Sequence, residues 1–253
     1  MEFSYAASGL LGGILVGLTG VGGGSLMTPL LVMMFGITPS TAVGTDLLYA
    51  ALTKASGVWA HHKKHNVDWK VTRQLMAGSI PASLITLAVL GHVKTTSHFE
   101  TYVRLGLAFA LILTAVALLC GTGKKWCILK LAQSPGTTAR WTLLLGALIG
   151  MLVTLSSVGA GAVGTAALVA LYPEMAVVRI VGTDIAHAVP LTLLAGLGHF
   201  TLGHVNISLL ANLLVGSIPG IWIGSHLTAR MPEQLLRVLL AILLLLIAGK
   251  MLL

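Results

Sequence analysis

The tetrad Val43-Gly44-Thr45-Asp46 returns 138 positions later as Val181-Gly182-Thr183-Asp184, and its surroundings return with it. Residues 19–31, TGVGGGSLMTPLL, are echoed by 156–168, SSVGAGAVGTAAL, and Gly78-Ser79-Ile80-Pro81 by Gly216-Ser217-Ile218-Pro219. One unit of four hydrophobic segments has thus been copied nearly whole. A fold built from two such halves places its distinctive site where the copies meet.

The surroundings of that repeat are apolar. Charged residues make up 9% of the chain, against about a quarter in soluble domains, and the mean hydropathy is +0.96. Apolar runs recur along the whole length, long enough to cross roughly 30 Å of hydrocarbon. The chain reads as a single membrane domain over 1–253, with a first repeat at 1–120, a cytoplasmic linker at 121–141 and a second repeat at 142–253. Its net charge of +8 sits in short loops between apolar segments, the pattern of a positive-inside bias, which argues against nucleic acid as a partner. Two cysteines, Cys120 and Cys127, imply no disulfide framework. The opening MEFSYAASG lacks a basic n-region, so the first apolar segment is expected to be retained.

Eight hydrophobic segments are expected, near 6–35, 41–59, 71–90, 103–120, 142–171, 178–199, 206–227 and 235–253. The first and fifth run about 30 residues where a crossing needs about 20, and glycines interrupt both, at Gly20–Gly24 and Gly159–Gly164. Each is either one kinked, tilted crossing or a re-entrant hairpin whose tip lies inside the membrane. If all eight cross, Lys and Arg divide ten to five between the two faces. If segments one and five return to the side they entered, Arg179, Arg230 and Arg237 join the basic face and Lys250 leaves it, a division of twelve to three. Each repeat then has three full crossings, an odd number, and the halves are inverted. The expected fold is an all-α polytopic membrane protein, two repeats in inverted topology, each a Gly-broken re-entrant helical hairpin plus three transmembrane helices.

Backbone outside a helix survives at membrane depth only when buried in protein or lining a polar cavity, so the two breaks are the candidate site. In the first, Gly20, Gly22, Gly23 and Gly24 precede Ser25, Thr28 and Pro29; in the second, Ser156, Ser157, Gly159 and Gly161 precede Thr165. The start of a half-helix offers free N–H groups and a partial positive charge, which suits a small anion. Close helix packing is the competing use of such glycines. Asp46 and Asp184 lie inside segments two and six, where a carboxylate costs about 2.5–3.5 kcal/mol on insertion scales. They are candidates for coupling to a proton, or for accepting hydrogen bonds from the tips. Thr45 and Thr183 are candidate donors to substrate, and Ser79 and Ser217 either line the cavity or cap a proline bend. His61, His62 and His65 read as a basic loop rather than a metal site. His187 is a conceivable relay partner of Asp184. Lys54 is expected to snorkel to the interface, and the 121–141 linker to carry a short interfacial helix. No catalytic or Walker pattern is present, so no enzyme activity, cofactor or metal is expected.

With these motifs in hand, the chain resembles the TauE/SafE family of bacterial membrane proteins, on Gly20-Val21-Gly22-Gly23-Gly24 leading to Pro29, the echo at 156–164 and the two Gly-Thr-Asp motifs. That resemblance implies a multi-pass carrier in the bacterial cytoplasmic (inner) membrane, exporting sulfite or short organosulfonates on an ion gradient, H+ being the candidate coupling ion. Ala166 in place of Pro29 and Ala160 in place of Gly23 set the second tip apart. The rival readings are a carrier of another small anion, a carrier of a divalent metal cation using Asp46, Asp184 and His187, and a non-transporting scaffold subunit. Such a fold would also suit a homodimer.

Overall fold

In a computed structural model, residues 2–19, 24–93, 97–120, 135–228 and 233–252 are described. They form ten helices: α1 (Glu2–Thr19), α2 (Gly24–Phe35), α3 (Pro39–Lys63), α4 (Trp69–His92), α5 (Ser97–Cys120), α6 (Pro135–Ser156), α7 (Ala162–Leu171), α8 (Val177–Thr201), α9 (Ile207–Thr228) and α10 (Glu233–Leu252). Among the described residues there is no strand. The fifth apolar segment is divided in two, as α6 and α7; in the first, α1 ends at Thr19 and α2 begins at Gly24, the residues between lying outside those described. The linker falls partly outside the described residues, at 121–134; its remainder is helical, because α6 already begins at Pro135, a residue whose missing N–H does no harm at a helix start.

Local chemistry fixes the ends of the long helices. The Ser40 amide and hydroxyl donate to the Glu100 carboxylate of α5, at 3.1 and 2.5 Å, which caps the start of α3. Asp68 caps α4 by accepting from the amides of Lys70 and Val71, at 3.1 and 3.2 Å.

The helices pair across the repeats. At the centre α3 runs antiparallel to α8: Gly44 faces His199 and His204, Gly196 faces Leu48, Gly57 faces Ile185, and Gly182 faces His61 and Asn66. The other two extensive pairings are parallel, α1 on α9 and α6 on α4. Along the first, Gly9 and Gly13 meet the backbone of Leu213 and Ser217, while Gly216, Gly220 and Gly224 meet Ala6, Leu10 and Ile14. Along the second, Gly146 and Gly150 meet Leu75 and Ser79. Small residues at four-residue spacing let helix backbones touch where lipid offers no hydrophobic drive to association. A fourth pair, α5 with α10, closes over the short helices: Leu107, Leu111 and Ala115 pack with Leu240, Leu244 and Ala248, and with Val158 and Ala162 of the second break.

The outer surface is aliphatic. Leu84, Ile85 and Val89 on α4, Val215, Ile218 and Trp222 on α9, and Leu239 and Leu246 on α10 are all exposed. Among the described residues, five helices (α4, α5, α6, α8 and α9) are long and apolar enough to cross a membrane. An apolar mantle over such helices is stable in lipid and not in water. The molecule is a multi-pass membrane protein, and its polar side chains turn inward. Those of α3, Asp46 and Lys54 among them, lower that helix's hydropathy.

Candidate functional site

The second break shows how the chain leaves one helix and starts another at depth. Ser156 Oγ donates to the Leu152 carbonyl (2.6 Å) and accepts from the Val158 amide (3.2 Å), closing the end of α6. The chain then passes through positive φ three times, at Ser157 (59°), Gly159 (119°) and Gly161 (134°). The last two values lie where a β-carbon is rarely tolerated, hence the glycines. As α7 begins, Gly164 N–H donates to Gly159 O (3.2 Å) and Thr165 N–H to Gly161 O (2.8 Å). Among the described residues, the amides of Ala162 and Val163 open this helix with no acceptor. In the first break, Gly20, Gly22 and Gly23 lie outside the described residues, as does the Ser25 side chain. Gly24 starts α2, and Pro29, inside that helix, leaves the Ser25 carbonyl without its helical donor.

Each short helix meets an aspartate of its own repeat. Thr28 Oγ1 donates to Asp46 Oδ2 at 2.5 Å, and Thr165 Oγ1 to Asp184 Oδ2 at 3.2 Å. Both carboxylates are fully buried, at 0% and 1% exposure. Asp184 also lies against Gly164, where any β-carbon would collide with the carboxylate. A carboxylate beside the first turn of a helix is favoured by the dipole there, so the protein's own anions stand at the positive ends of α2 and α7. The Oδ1 atoms of both aspartates have no hydrogen-bond partner, nor does Ser157 Oγ, which stands next to Asp46. The second tip and the two aspartates therefore share one buried polar region.

Sequence reasoning missed the cation of this region. Lys54, expected to snorkel to the interface, is buried (7% exposed) and donates from Nζ to the Ala160 carbonyl in the second break, at 3.0 Å. It lies within electrostatic reach of both Asp184 and Asp46. The antiparallel crossing of α3 and α8 turns it inward, toward the tip of the other repeat. Its counterpart 138 positions on is Thr192, which donates to the Ala188 carbonyl of its own helix (2.8 Å). The repeat signal therefore could not reveal it.

The remaining candidates fall elsewhere. Thr45 Oγ1 accepts from the Asn206 amide (3.1 Å); Thr183 Oγ1 accepts from the Asp68 amide (2.9 Å) and donates to the Arg179 carbonyl (2.7 Å). These threonines hold the helix-linking loop of the opposite repeat. The adjacent Gly44 and Gly182 admit those loops, since a β-carbon would run into the carbonyls of His204 and Asn66. Each residue of the Gly-Thr-Asp motif thus has its own duty: loop approach, loop capture and contact with the short helix. His187 bonds Ser79 Oγ through Nε2 (2.8 Å), while Ser217 Oγ donates locally to the Leu214 carbonyl (3.4 Å). His199 Nε2 donates to the Thr154 carbonyl (2.9 Å). In the basic loop, Lys63 lies over the Trp59 ring (3.9 Å to the centroid) and His62 packs edge-on to Trp69. Among the described residues, no three His, Cys, Asp or Glu side chains gather as metal ligands.

A helical membrane protein with two broken helices enclosing buried carboxylates and an ammonium has the build of a transporter. Sequence comparison specifies which. Residues 5–251 match the family described as "Sulfite exporter TauE/SafE", and the chain belongs to that family. It is 38% identical to the "Probable membrane transporter protein YjnA" of Bacillus subtilis (strain 168), over 95% of this chain and 96% of that one. Two further proteins of that strain, named YdhB and YunE and likewise described as probable membrane transporter proteins, are 29% and 26% identical, over 89% and 90% of this chain and 89% and 87% of theirs. No solved structure matches the chain significantly.

Proposed function

We propose that this protein is a secondary active exporter of small sulfur-containing anions, sulfite or a short organosulfonate, across the bacterial cytoplasmic membrane. What supports the reading is that each short helix meets a fully buried aspartate, Thr28 with Asp46 and Thr165 with Asp184, with a buried lysine within reach of both. The anion binds near the midplane at the starts of α2 and α7, with the Ala162 and Val163 amides and Ser157 as donors on the second tip. Asp46 and Asp184 are the coupling groups. The buried ammonium nearby disfavours the divalent-cation alternative, because a metal would add like charge beside it.

The membrane arrangement proposed is two inverted repeats with re-entrant hairpins. Arg179 and Asp68 form an ion pair at 3.0 Å. If segments one and five crossed completely, these residues would lie on opposite faces; hairpins put them on one. Helix directions support the same arrangement. α1 runs parallel to α9, and α9 leaves the loop that Thr45 of α3 holds, so α1 and α3 point the same way with only α2 between them.

Flux tests the function. In proteoliposomes with an imposed pH gradient, sulfite or methanesulfonate is expected to cross at least about tenfold faster than through empty vesicles. Asp46→Asn and Asp184→Asn are expected to uncouple flux from that gradient. Equal rates with and without protein for every sulfur anion would end the proposal.

A further inference from the structure

A lysine this deeply buried needs explaining. An ammonium carries three N–H donors, and among the described residues Lys54 has a single acceptor, the Ala160 carbonyl at 3.0 Å. Burying an ammonium is tolerated when its charge is paired and its donors are satisfied. Asp46 and Asp184 lie within electrostatic reach, yet their carboxylates bond Thr28 and Thr165, and Lys54 makes no direct ion pair with either. Two donors thus remain, beside the break that also holds the Ser157 hydroxyl (4% exposed) and the open amides of Ala162 and Val163.

The Ala160 bond fixes where this cation stands, because Ala160 belongs to the break whose next helical residues are Ala162 and Val163. The corresponding position on α8 is the neutral Thr192. The halves are alike in carboxylates and unlike in cation.

From this we infer that Lys54 is the residue that binds the substrate's negative charge, together with Ser157 and the first amides of α7 at the second tip. The inference rests on the reading of the protein as an anion carrier and deepens it by naming the group that distinguishes anion from cation. Asp46, Asp184, His187 and Tyr49 are the other ionisable groups facing this region, from α3 and α8. The carboxylates balance the charge of Lys54 without touching it, and a substrate oxyanion supplies the direct partner they do not.

The test is anion binding to the purified full-length protein in nanodiscs, by isothermal titration with sulfite, methanesulfonate, sulfate and chloride. Three proteins are compared: the unaltered chain, Lys54→Arg, which keeps charge, and Lys54→Gln, which keeps a donor for Ala160 and loses charge. Sulfite affinity is expected to fall at least about thirtyfold in Lys54→Gln and less than about fivefold in Lys54→Arg. Undiminished sulfite affinity in Lys54→Gln overturns the inference while leaving the transport reading intact. If the unaltered chain binds a non-sulfur anion instead, and Lys54→Gln loses it, Lys54 keeps its role and the sulfur substrate falls. If the unaltered chain binds none of the four, both fall. Should Lys54→Gln not fold, the double variant Lys54→Met with Asp184→Asn removes opposite charges together. Retained anion binding there overturns the inference, and its loss in a variant that still unfolds in one cooperative transition supports it.

Discussion

At the scale of single residues, the Gly-Thr-Asp motif divides labour in a way that predicts distinct losses. Thr183 holds the Asp68 amide, and the valine variant leaves a half-buried N–H unpaired. Thr183→Val is expected to lower stability by about 1 kcal/mol, read as a lower melting temperature in detergent, and Thr183→Ser to restore it. Gly182→Val pushes into the Asn66 carbonyl and His61 and is expected to cost about 1–3 kcal/mol, with no rescue by a smaller polar residue. The pairing of Asp46 and Asp184 with the tips was legible because the sequence states it twice. An aspartate follows each break at nearly the same interval, and Thr28 and Thr165 occupy matching positions. Lys54 was not legible. A lone lysine near the end of an apolar segment ordinarily reaches for water, and only the crossing of α3 over α8 turns it inward.

The elements pack by contrast between glycines that are needed and glycines that are not. Gly150 of α6 touches the backbone of Ser79 on α4, whereas a β-carbon at Gly106 of α5 would meet nothing. Gly150→Leu is expected to separate α4 from α6 and lower the melting temperature by many degrees. Gly106→Ala is expected to raise it modestly, since alanine is favoured over glycine inside a helix by about 0.5–1 kcal/mol. A reversal of these signs in thermal unfolding would refute the packing account. Segment boundaries were mostly readable from hydropathy, to within a few residues. The start of α6 at Pro135 was not, because polar residues such as Thr137, Thr138 and Arg140 mask a helix whose first turns precede the apolar run. That α1 pairs with α9 rather than with a neighbour in sequence was equally hidden, since both carry glycines that would suit many partners.

For the whole molecule, the repeats make a testable claim about sidedness. The end of α3 and the loop after it hold Lys63 and Lys64; the counterpart at the end of α8 holds no lysine or arginine. With Cys120 and Cys127 replaced by serine, Lys64→Cys is expected to react with a membrane-impermeant thiol reagent only from the cytoplasmic side, and Thr201→Cys only from outside. Labelling of both from one side would remove the inverted arrangement. The count of basic residues and the Arg179–Asp68 contact point to the same sidedness from independent directions, one from loop composition and one from loop proximity. What the count could not supply is which copy carries the cation, because gene duplication preserves pattern while later substitution is free to differ between copies.

The cross-pairing of α1 with α9 has a bearing on how the chain is made. A ribosome delivers α1 to the bilayer long before its mate exists, so the nascent protein must park a glycine-striped helix among lipids, or lend it to a chaperone, until synthesis is almost finished. A chain that ends before α9 leaves that stripe uncovered and should be a substrate for membrane proteolysis rather than a half-carrier.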